Sequence, residues 1–303
     1  MTEKNPLTTS DDNNAKQLTY AGELILGRHN KFNTFDWRTF ACGWGAAFIN
    51  IAVTYPIYKT IFRQMLHGIS IAPAFRQIRS EGWFYLYRGI LPPLAQKTIS
   101  LSLMFGFYDA TKRKLIEKFD TQEYVAKVIA GLTSGTVEAA LLPFERVQTL
   151  LADAKFHSHF RNSQQAFRHV WTHYGLKELY RGIIPVLYRN GPSNAMFFIL
   201  KEEADSRIPV NLPLSKPIQE FLSGAIIGAS ISSIFYPFNV IKIAMQCDMG
   251  HPRERMIACT KRIYSERGGI RGLYRGCAFN AYRSFLSWGI VNTSYEHLKS
   301  VIC

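Results

Sequence analysis

Long apolar segments alternate with shorter polar connections along most of this chain. Residues 40–57 and 221–241 contain no charged side chain. Four further segments contain a single charge each: residues 89–108 with Lys97, 128–144 with Glu138, 182–200 with Arg189, and 276–295 with Arg283. A helix of about 20 such residues crosses a hydrocarbon layer of about 30 Å. The pattern therefore predicts six transmembrane helices rather than the core helices of a soluble bundle.

The six segments belong to a unit that occurs three times. Its repeated residues are the prolines Pro56, Pro143 and Pro237, 87 and 94 residues apart, and the Tyr-Arg-Gly arginines Arg88, Arg181 and Arg275. A period of this length indicates three copies of one supersecondary unit. We expect a disordered tail over residues 1–36 and repeats over residues 37–121, 122–210 and 211–303. The predicted fold is an all-α membrane protein with three pseudo-symmetric two-helix repeats around a central cavity.

Each unit begins with a helix that carries two small residues four positions apart, and the proline follows. These pairs are Gly43 and Ala47, Gly131 and Gly135, and Gly224 and Gly228. Small residues let helices pack closely in lipid, and proline kinks a helix because it lacks a backbone donor. A polar amphipathic stretch such as residues 72–79 comes next, and we expect it to lie along the membrane surface.

The chain is basic, with 36 lysines and arginines, 22 acidic residues and a net charge of +14. The basic residues cluster in the connections rather than along one helix, which favours anionic lipid headgroups over nucleic acid as the partner. The first 36 residues are polar and include Glu3 and Asp11. They are too acidic for a typical cleaved transit peptide and unlike a secretory signal.

No arrangement for covalent chemistry is found in the sequence. Five cysteines without a CxxC pair indicate neither a disulfide framework nor a zinc site. His157 and His159 are interpreted as a solvated loop pair rather than metal ligands. A P-loop and a dinucleotide fingerprint after a strand are also missing. The sequence therefore favours a transporter without a cofactor over a membrane-bound enzyme.

The repeated motif reads proline-x-acid-x-x-base, followed by acid-glycine, four residues, and aromatic-Arg-Gly. EGWFYLYRG at residues 81–89 matches the second part completely, and YGLKELYRG and GGIRGLYRG lack only the acid. This pattern resembles the mitochondrial carrier family over residues 37–303. The resemblance implies a monomeric, multi-pass transporter of the mitochondrial inner membrane. It also implies short amphipathic helices on the matrix side, and cardiolipin bound at the N-termini of matrix-side helices.

The same resemblance implies two gates that close alternately. The matrix gate is assigned to Tyr58, Glu145, Gln148, Asn239 and Lys242, and the cytoplasmic gate to Asp109, Lys112, Glu202, Glu296 and Lys299. Because Ile61 occupies a basic slot, Glu145–Lys242 is the sole ion pair expected in the matrix gate. Tyr58 and Gln148 would form at most a hydrogen bond. The cytoplasmic gate lacks one basic residue, in repeat 2, and is expected to be the stronger gate.

Positions that differ among the repeats are candidates for reading an asymmetric substrate. The family's mid-membrane contact points fall on Ile51, Gln96, Lys97, Glu138, Arg189, Asn190, Ser232, Arg283 and Ser284. An ionisable group at mid-bilayer costs at least about 2.5 kcal/mol unless it is paired or hydrated, so the charged members predict a shared polar cavity. Arginine forks suit phosphate oxygens. Two arginines, a lysine and one carboxylate therefore predict a phosphorylated anion that also carries a positive part.

Four segments closely resemble the family members that carry NAD⁺ in animals; they are residues 86–98, 143–151, 189–198 and 286–296. The hypothesis is that Arg189, Arg283 and Lys97 hold the pyrophosphate, while Glu138 offsets the pyridinium. Trp288 either stacks on a ring or packs between helices. A structural Lys97–Glu138 pair is the competing interpretation of those two charges. Another phosphorylated nucleotide, a cofactor of the CoA or flavin type, and protons in an uncoupler-like carrier are the alternative substrates.

Overall fold

The computed structural model describes residues 37–207 and 216–302, and the predicted tail over residues 1–36 lies outside them. Within these two ranges the regular structure is helical, with no strand. Repeat 1 contains α1 (Trp37–His67), α2 (Ile71–Glu81), α3 (Trp83–Leu86) and α4 (Leu91–Phe119). Repeat 2 contains α5 (Glu123–Glu138), α6 (Leu142–Ala152), α7 (Ser163–Tyr174), α8 (Leu176–Leu179) and α9 (Ile183–Arg207). Repeat 3 contains α10 (Lys216–Ile234), α11 (Tyr236–Gln246), α12 (Met256–Glu266), α13 (Ile270–Leu273) and α14 (Cys277–Ile302).

The long helices form a closed ring. Going around it, α1 packs against α4, α4 against α5, α5 against α9, α9 against α10, and α10 against α14. The last helix, α14, packs against α1 and completes the circle. The short helices α2, α7 and α12 each contact the helix that precedes them, so they lie at one end of the ring, which we call the short-helix end. All-helical architecture in three repeats is thus what the sequence predicted.

The first helix of a repeat is interrupted before the proline in two of three cases, and its axis bends in one of them. In repeat 2, a 3₁₀ turn at Ala139–Leu141 separates α5 from α6 just before Pro143. In repeat 3, the axis turns by 58° between Leu222–Ile234 and Tyr236–Gln246. Repeat 1 stays helical through Pro56. The expected kink is therefore found in repeat 3, where proline removes one backbone donor.

The proline and the Tyr-Arg-Gly triplet of a repeat lie side by side in space. The hydroxyl of Tyr55 donates to the carbonyl of Arg88 at 2.9 Å, and that of Tyr236 to the carbonyl of Arg275 at 2.7 Å. The glycine of the triplet has left-handed backbone, with φ of 92° at Gly276, and a Cβ there would lie 2.6 Å from the Tyr236 hydroxyl. Only glycine satisfies both conditions, which explains why the triplet recurs.

Small residues bring helices together as the sequence predicted, most closely in repeat 2. A Cβ on Gly131 would lie 2.4 Å from the Ala195 Cα, and one on Gly135 would lie 2.5 Å from the backbone of Asn190. These distances are shorter than any real Cβ contact, so α5 and α9 pack backbone to backbone. In repeat 1 the side-chain environment of Gly43 lies outside the described part of the chain.

By length and apolar composition alone, one helical segment of the described chain is able to cross a membrane. It runs over Glu123–Ala152 and comprises α5 and α6. The bent pair Leu222–Ile234 and Tyr236–Gln246 passes the same test if it is counted as one span. For the other long helices, the sixfold crossing expected from sequence rests on the repeat.

Candidate functional site

Ionisable side chains from all three repeats form one electrostatic cluster inside the ring. Lys97 interacts with Glu138, Arg189 and Arg283, and Lys242 interacts with Glu145, Arg189 and Glu138. The members are Lys97, Glu138, Glu145, Arg189, Lys242 and Arg283. These six residues lie on six different helical segments of the ring, yet they are close enough to interact electrostatically. Their side chains therefore face the interior of the ring. Four cations against two carboxylates leave the cluster positive, which favours an anionic ligand.

Glu138 is held by neutral side chains. Ser100 donates to Oε1 of Glu138, and the amide of Asn194 approaches Oε2 at 3.5 Å. No ion pair joins Glu138 to Lys97 among the described residues, and Lys97 is exposed. The structural Lys97–Glu138 pair considered from sequence is therefore not formed in this conformation. Both charges stay available to a ligand.

The guanidinium groups of Arg189 and Arg283 have no acidic partner. Within residues 37–207 and 216–302, neither makes an ion pair or a hydrogen bond to a side chain or carbonyl, although both are half-buried. The Nε of Arg283 is shielded from solvent and lacks a hydrogen-bond partner. A buried donor of this kind costs free energy unless it is satisfied. An anion placed between the two arginines would satisfy it.

Two other predicted binding residues contribute to helix packing. Asn190 is buried, and its backbone lies against Gly135 at the α5–α9 contact. The indole of Trp288 lies against α10, where a Cβ on Gly224 or Gly228 would come within 3.1 Å of it. Its ring also stacks on Phe197 at 6.4 Å. Of the two roles open to Trp288, the contacts show packing between helices.

Three repeats meet at the carboxylate of Glu145. Lys242 approaches Oε2 at 3.1 Å, and Gln96 donates to Oε1 at 2.9 Å. The ion pair expected from sequence is therefore present, and Gln96 joins it from repeat 1. Tyr58 and Gln148 form no hydrogen bond in the part of the chain described here, and Asn239 is half-buried without a side-chain partner.

An apolar cluster that was not predicted from the sequence lies at the short-helix end. Ile61, in the slot where the family has a base, is 2% exposed and belongs to this cluster. The cluster includes Phe62 and Met65 of α1, Ala152 of α6, and Val240 and Ile241 of α11. Beside it, Thr149 donates to Gln246 at 3.0 Å, between α6 and α11. The sequence did contain a signal for this cluster, because the apolar Ile61 occupies a position where the family has a basic residue.

At the opposite end of the ring, two predicted gate residues pair with partners outside the predicted set. Lys112 lies 3.4 Å from Glu123, and Glu202 lies 2.5 Å from Lys127. Asp109 is exposed on α4, and the side chains of Glu296 and Lys299 lie outside the described residues. Lys127, four residues after Glu123 on the same helix, was recognisable from sequence as its i,i+4 partner.

Arginines connect neighbouring repeats at the short-helix end. Arg88 donates to the carbonyl of His157 at 3.0 Å, from repeat 1 to repeat 2. Arg181 bonds the side chain of Asp248, from repeat 2 to repeat 3. Arg267 donates to the carbonyl of Met65 at 2.7 Å, from repeat 3 back to repeat 1. All three seams of the ring are therefore bridged by a guanidinium.

The prediction that His157 and His159 form a solvated pair is wrong for His157. His157 stacks on Tyr85 at 4.5 Å, and its Nε2 is buried without a partner. Burial, followed by the positive charges of Lys59, Arg88 and Arg63, lowers the pKa of His157 to about 4. The imidazole is therefore neutral at physiological pH and acts as a packing group between repeats.

The acid missing from the motif in repeat 2 is supplied from another position. In repeat 1 the motif acid, Glu81, bonds Arg63 at 2.8 Å. Repeat 2 has Tyr174 in that slot, and Glu178 bonds Arg146 at 2.9 Å instead. Both arginines are buried, and a buried guanidinium needs a counterion. The substitution moves the carboxylate without removing the pair.

The sequence matches one family model and is similar to several known transporters. The family model described as "Mitochondrial carrier protein" matches residues 33–119, 120–210 and 214–303. The mitochondrial nicotinamide adenine dinucleotide transporter SLC25A51 of Mus musculus is 42% identical over 270 residues, covering 88% of this chain and 90% of the relative. The human protein of the same name is 39% identical over 304 residues, covering 99% and 98%. The mitochondrial citrate transporter B of Aspergillus niger is 28% identical over 281 residues, covering 88% and 94%.

Proposed function

Because this chain belongs to the mitochondrial carrier protein family, we propose that it imports NAD⁺ into the mitochondrial matrix by alternating access. It is a multi-pass protein of the mitochondrial inner membrane, as members of the family are. Relatives named as transporters of nicotinamide adenine dinucleotide align over nearly the whole chain, which supports this substrate. NAD⁺ is the transported substrate in this proposal, and no cofactor takes part.

One observation carries the substrate assignment: two arginines inside the ring, Arg189 and Arg283, have no anionic partner. A pyrophosphate offers oxygens on both sides that two guanidinium forks can bind together. Lys97 adds a third cation within electrostatic range. The carboxyl group of Glu138, bonded only to neutral side chains, is the group assigned to the pyridinium. Gln96 contributes an amide on the same inner face.

The proposal places six long helical units across the membrane, α1, α4, α5 with α6, α9, α10 with α11, and α14. Threefold repetition supports this count, because one unit that crosses the bilayer has two counterparts in the same ring. The short helices then lie on the matrix side. We extend the proposal to a monomer that binds cardiolipin at the N-termini of the matrix-side helices, since the ring of one chain is closed.

The conformation described here supports the alternating-access mechanism. Glu145–Lys242 and the apolar cluster hold the short-helix end shut, whereas Lys112 and Glu202 at the other end pair outside the predicted gate. In the proposed mechanism this is the state that receives NAD⁺ from the cytoplasmic side. Transport then requires the Glu145 pair to break and the other end to close, so binding energy must offset the lost contacts.

Uptake into proteoliposomes tests the substrate. Vesicles that contain the purified protein are offered labelled NAD⁺, AMP or a pH gradient, and NAD⁺ is expected to enter fastest. Arg189→Gln or Arg283→Gln should lower NAD⁺ uptake by about tenfold or more. Arg113→Gln is the matched control, because Arg113 is exposed on α4.

The same vesicles separate the competing substrates. Faster uptake of another nucleotide or of a CoA- or flavin-type cofactor would replace NAD⁺ as the substrate. Dissipation of the pH gradient without nucleotide uptake would indicate an uncoupler-like carrier, with Glu138 as its proton-binding group. Unchanged NAD⁺ uptake by both arginine variants would contradict the binding role assigned to the cluster.

A further inference from the structure

A lysine outside both predicted gates holds a gate carboxylate at the end opposite the short helices. Lys127 on α5 lies 2.5 Å from Glu202 on α9, and 2.9 Å from Glu123 on its own helix. Its side chain is only 13% exposed, so the pair is shielded from most of the solvent. Such shielding makes an ion pair stronger than one at an open surface.

The second partner extends the same arrangement to α4. Glu123 also lies 3.4 Å from Lys112, the gate residue of repeat 1. Lys127 and Glu123 therefore each engage one gate residue, Glu202 and Lys112, from one turn of α5. Among the described residues, Lys112 and Glu202 thus form their ion pairs with α5 and not with another residue of the predicted gate.

The residues on α5 break the threefold symmetry. At the positions equivalent to Lys127, the other repeats have Phe40 and Phe221. Repeat 2 is also the repeat that has Asp205 where the family gate has a base. Folding requirements shared by the repeats do not explain a lysine in one of them, which indicates a role in the asymmetric transport cycle.

We propose that Lys127, supported by Glu123, is a positioning residue that stabilises the conformation open at this end by pairing with Glu202 in place of the other residues of the predicted gate. The inference rests on the alternating-access part of the proposed function, and not on the identity of the substrate. When this end closes, Glu202 releases Lys127 and pairs with a residue of the gate instead. Lys127 thus sets the balance between the two conformations without contacting the substrate.

Distance measurement between spin labels tests this role directly. Cysteines that replace Lys114 on α4 and Ser206 on α9, both exposed near this end, are labelled in the full-length protein. Protein without introduced cysteines gives the background from native thiols. Lys127→Met is expected to raise the population with the shorter distance by about three- to tenfold in the absence of substrate. Lys127→Arg should retain the wild-type distribution.

Lys118→Met on α4 is the matched control, because that lysine is exposed and makes no ion pair in the described chain. Glu123→Gln provides a second test if Lys127→Met does not fold, and it should shift the population in the same direction. A distribution that stays at wild type in Lys127→Met or Glu123→Gln, or an equal shift in Lys118→Met, would overturn the proposal. Because no substrate is present, the result is independent of whether the wild type takes up NAD⁺.

Discussion

At the scale of single residues, Glu145 is where a substitution should affect closure of the short-helix end most. Its carboxylate receives both Lys242 and Gln96, so Glu145→Gln leaves a half-buried ammonium without a counterion. Breaking a buried pair in this way costs about 3–5 kcal/mol. We expect NAD⁺ uptake to fall by about tenfold or more. Tyr58→Phe should change it little, because the Tyr58 hydroxyl has no described partner; equal effects would refute the one-pair gate.

A second residue-scale prediction concerns the choice between NAD⁺ and NADH. Glu138→Gln keeps a side chain of the same shape, which Ser100 and Asn194 can still contact, but removes the negative charge assigned to the pyridinium. A screened charge pair contributes about 1 kcal/mol. The ratio of NAD⁺ to NADH uptake should therefore fall several-fold when the charge of Glu138 is removed. Competition between the two labelled forms in proteoliposomes measures the ratio. If both rates decline in parallel, Glu138 is structural or couples protons.

At the scale of helices, the contact between α5 and α9 leaves no room for a methyl group. Gly135→Ala places a Cβ 2.5 Å from the Asn190 backbone, and overpacking of this kind costs about 1–3 kcal/mol. The apparent melting temperature in detergent should fall by several degrees. Gly106→Ala on α4 is the control, since a Cβ there meets nothing within 4 Å. Equal melting temperatures for both variants would mean that the helices separate easily.

The seam between repeats 1 and 2 should lose stability as pH falls. His157 has a folded-state pKa of about 4, below the ordinary value of about 6.5. The unfolded chain therefore binds the proton first, and stability that is full above pH 6.5 declines toward pH 4, by about 1–3 kcal/mol. His157→Phe keeps the stack on Tyr85 and should flatten this part of the melting curve against pH. His159→Phe, at an exposed neighbour, should leave the wild-type slope.

The helices also show which parts of this architecture could be predicted. The 3₁₀ turn before Pro143, the bend before Pro237 and the close packing at Gly135 follow from covalent properties of proline and glycine, which are visible in one sequence. The ion pair of Lys127 with Glu202 depends on which faces of α5 and α9 meet. The periodicity of a helix does not specify that rotation, so the predicted gate named Glu202 but missed its partner.

At the scale of the whole molecule, the short-helix end is closed by one ion pair and an apolar cluster. We therefore expect the conformation closed at this end to be only slightly more stable than the conformation open at this end. Ile61→Lys combined with Asn239→Asp would restore the charges of a second gate pair between α1 and α11. Ile61→Lys alone should be destabilising, because Ile61 is 2% exposed and the new charge would be unpaired. The double variant should recover about 1–3 kcal/mol of stability relative to the sum of the single changes.

We expect the double variant to melt at a higher temperature than Ile61→Lys. It should also take up NAD⁺ more slowly than the wild type, because a more stable closed conformation opens less often. Thermal unfolding of both single variants and the double variant gives the coupling energy, and strictly additive effects would show that the two slots do not meet when the gate is shut.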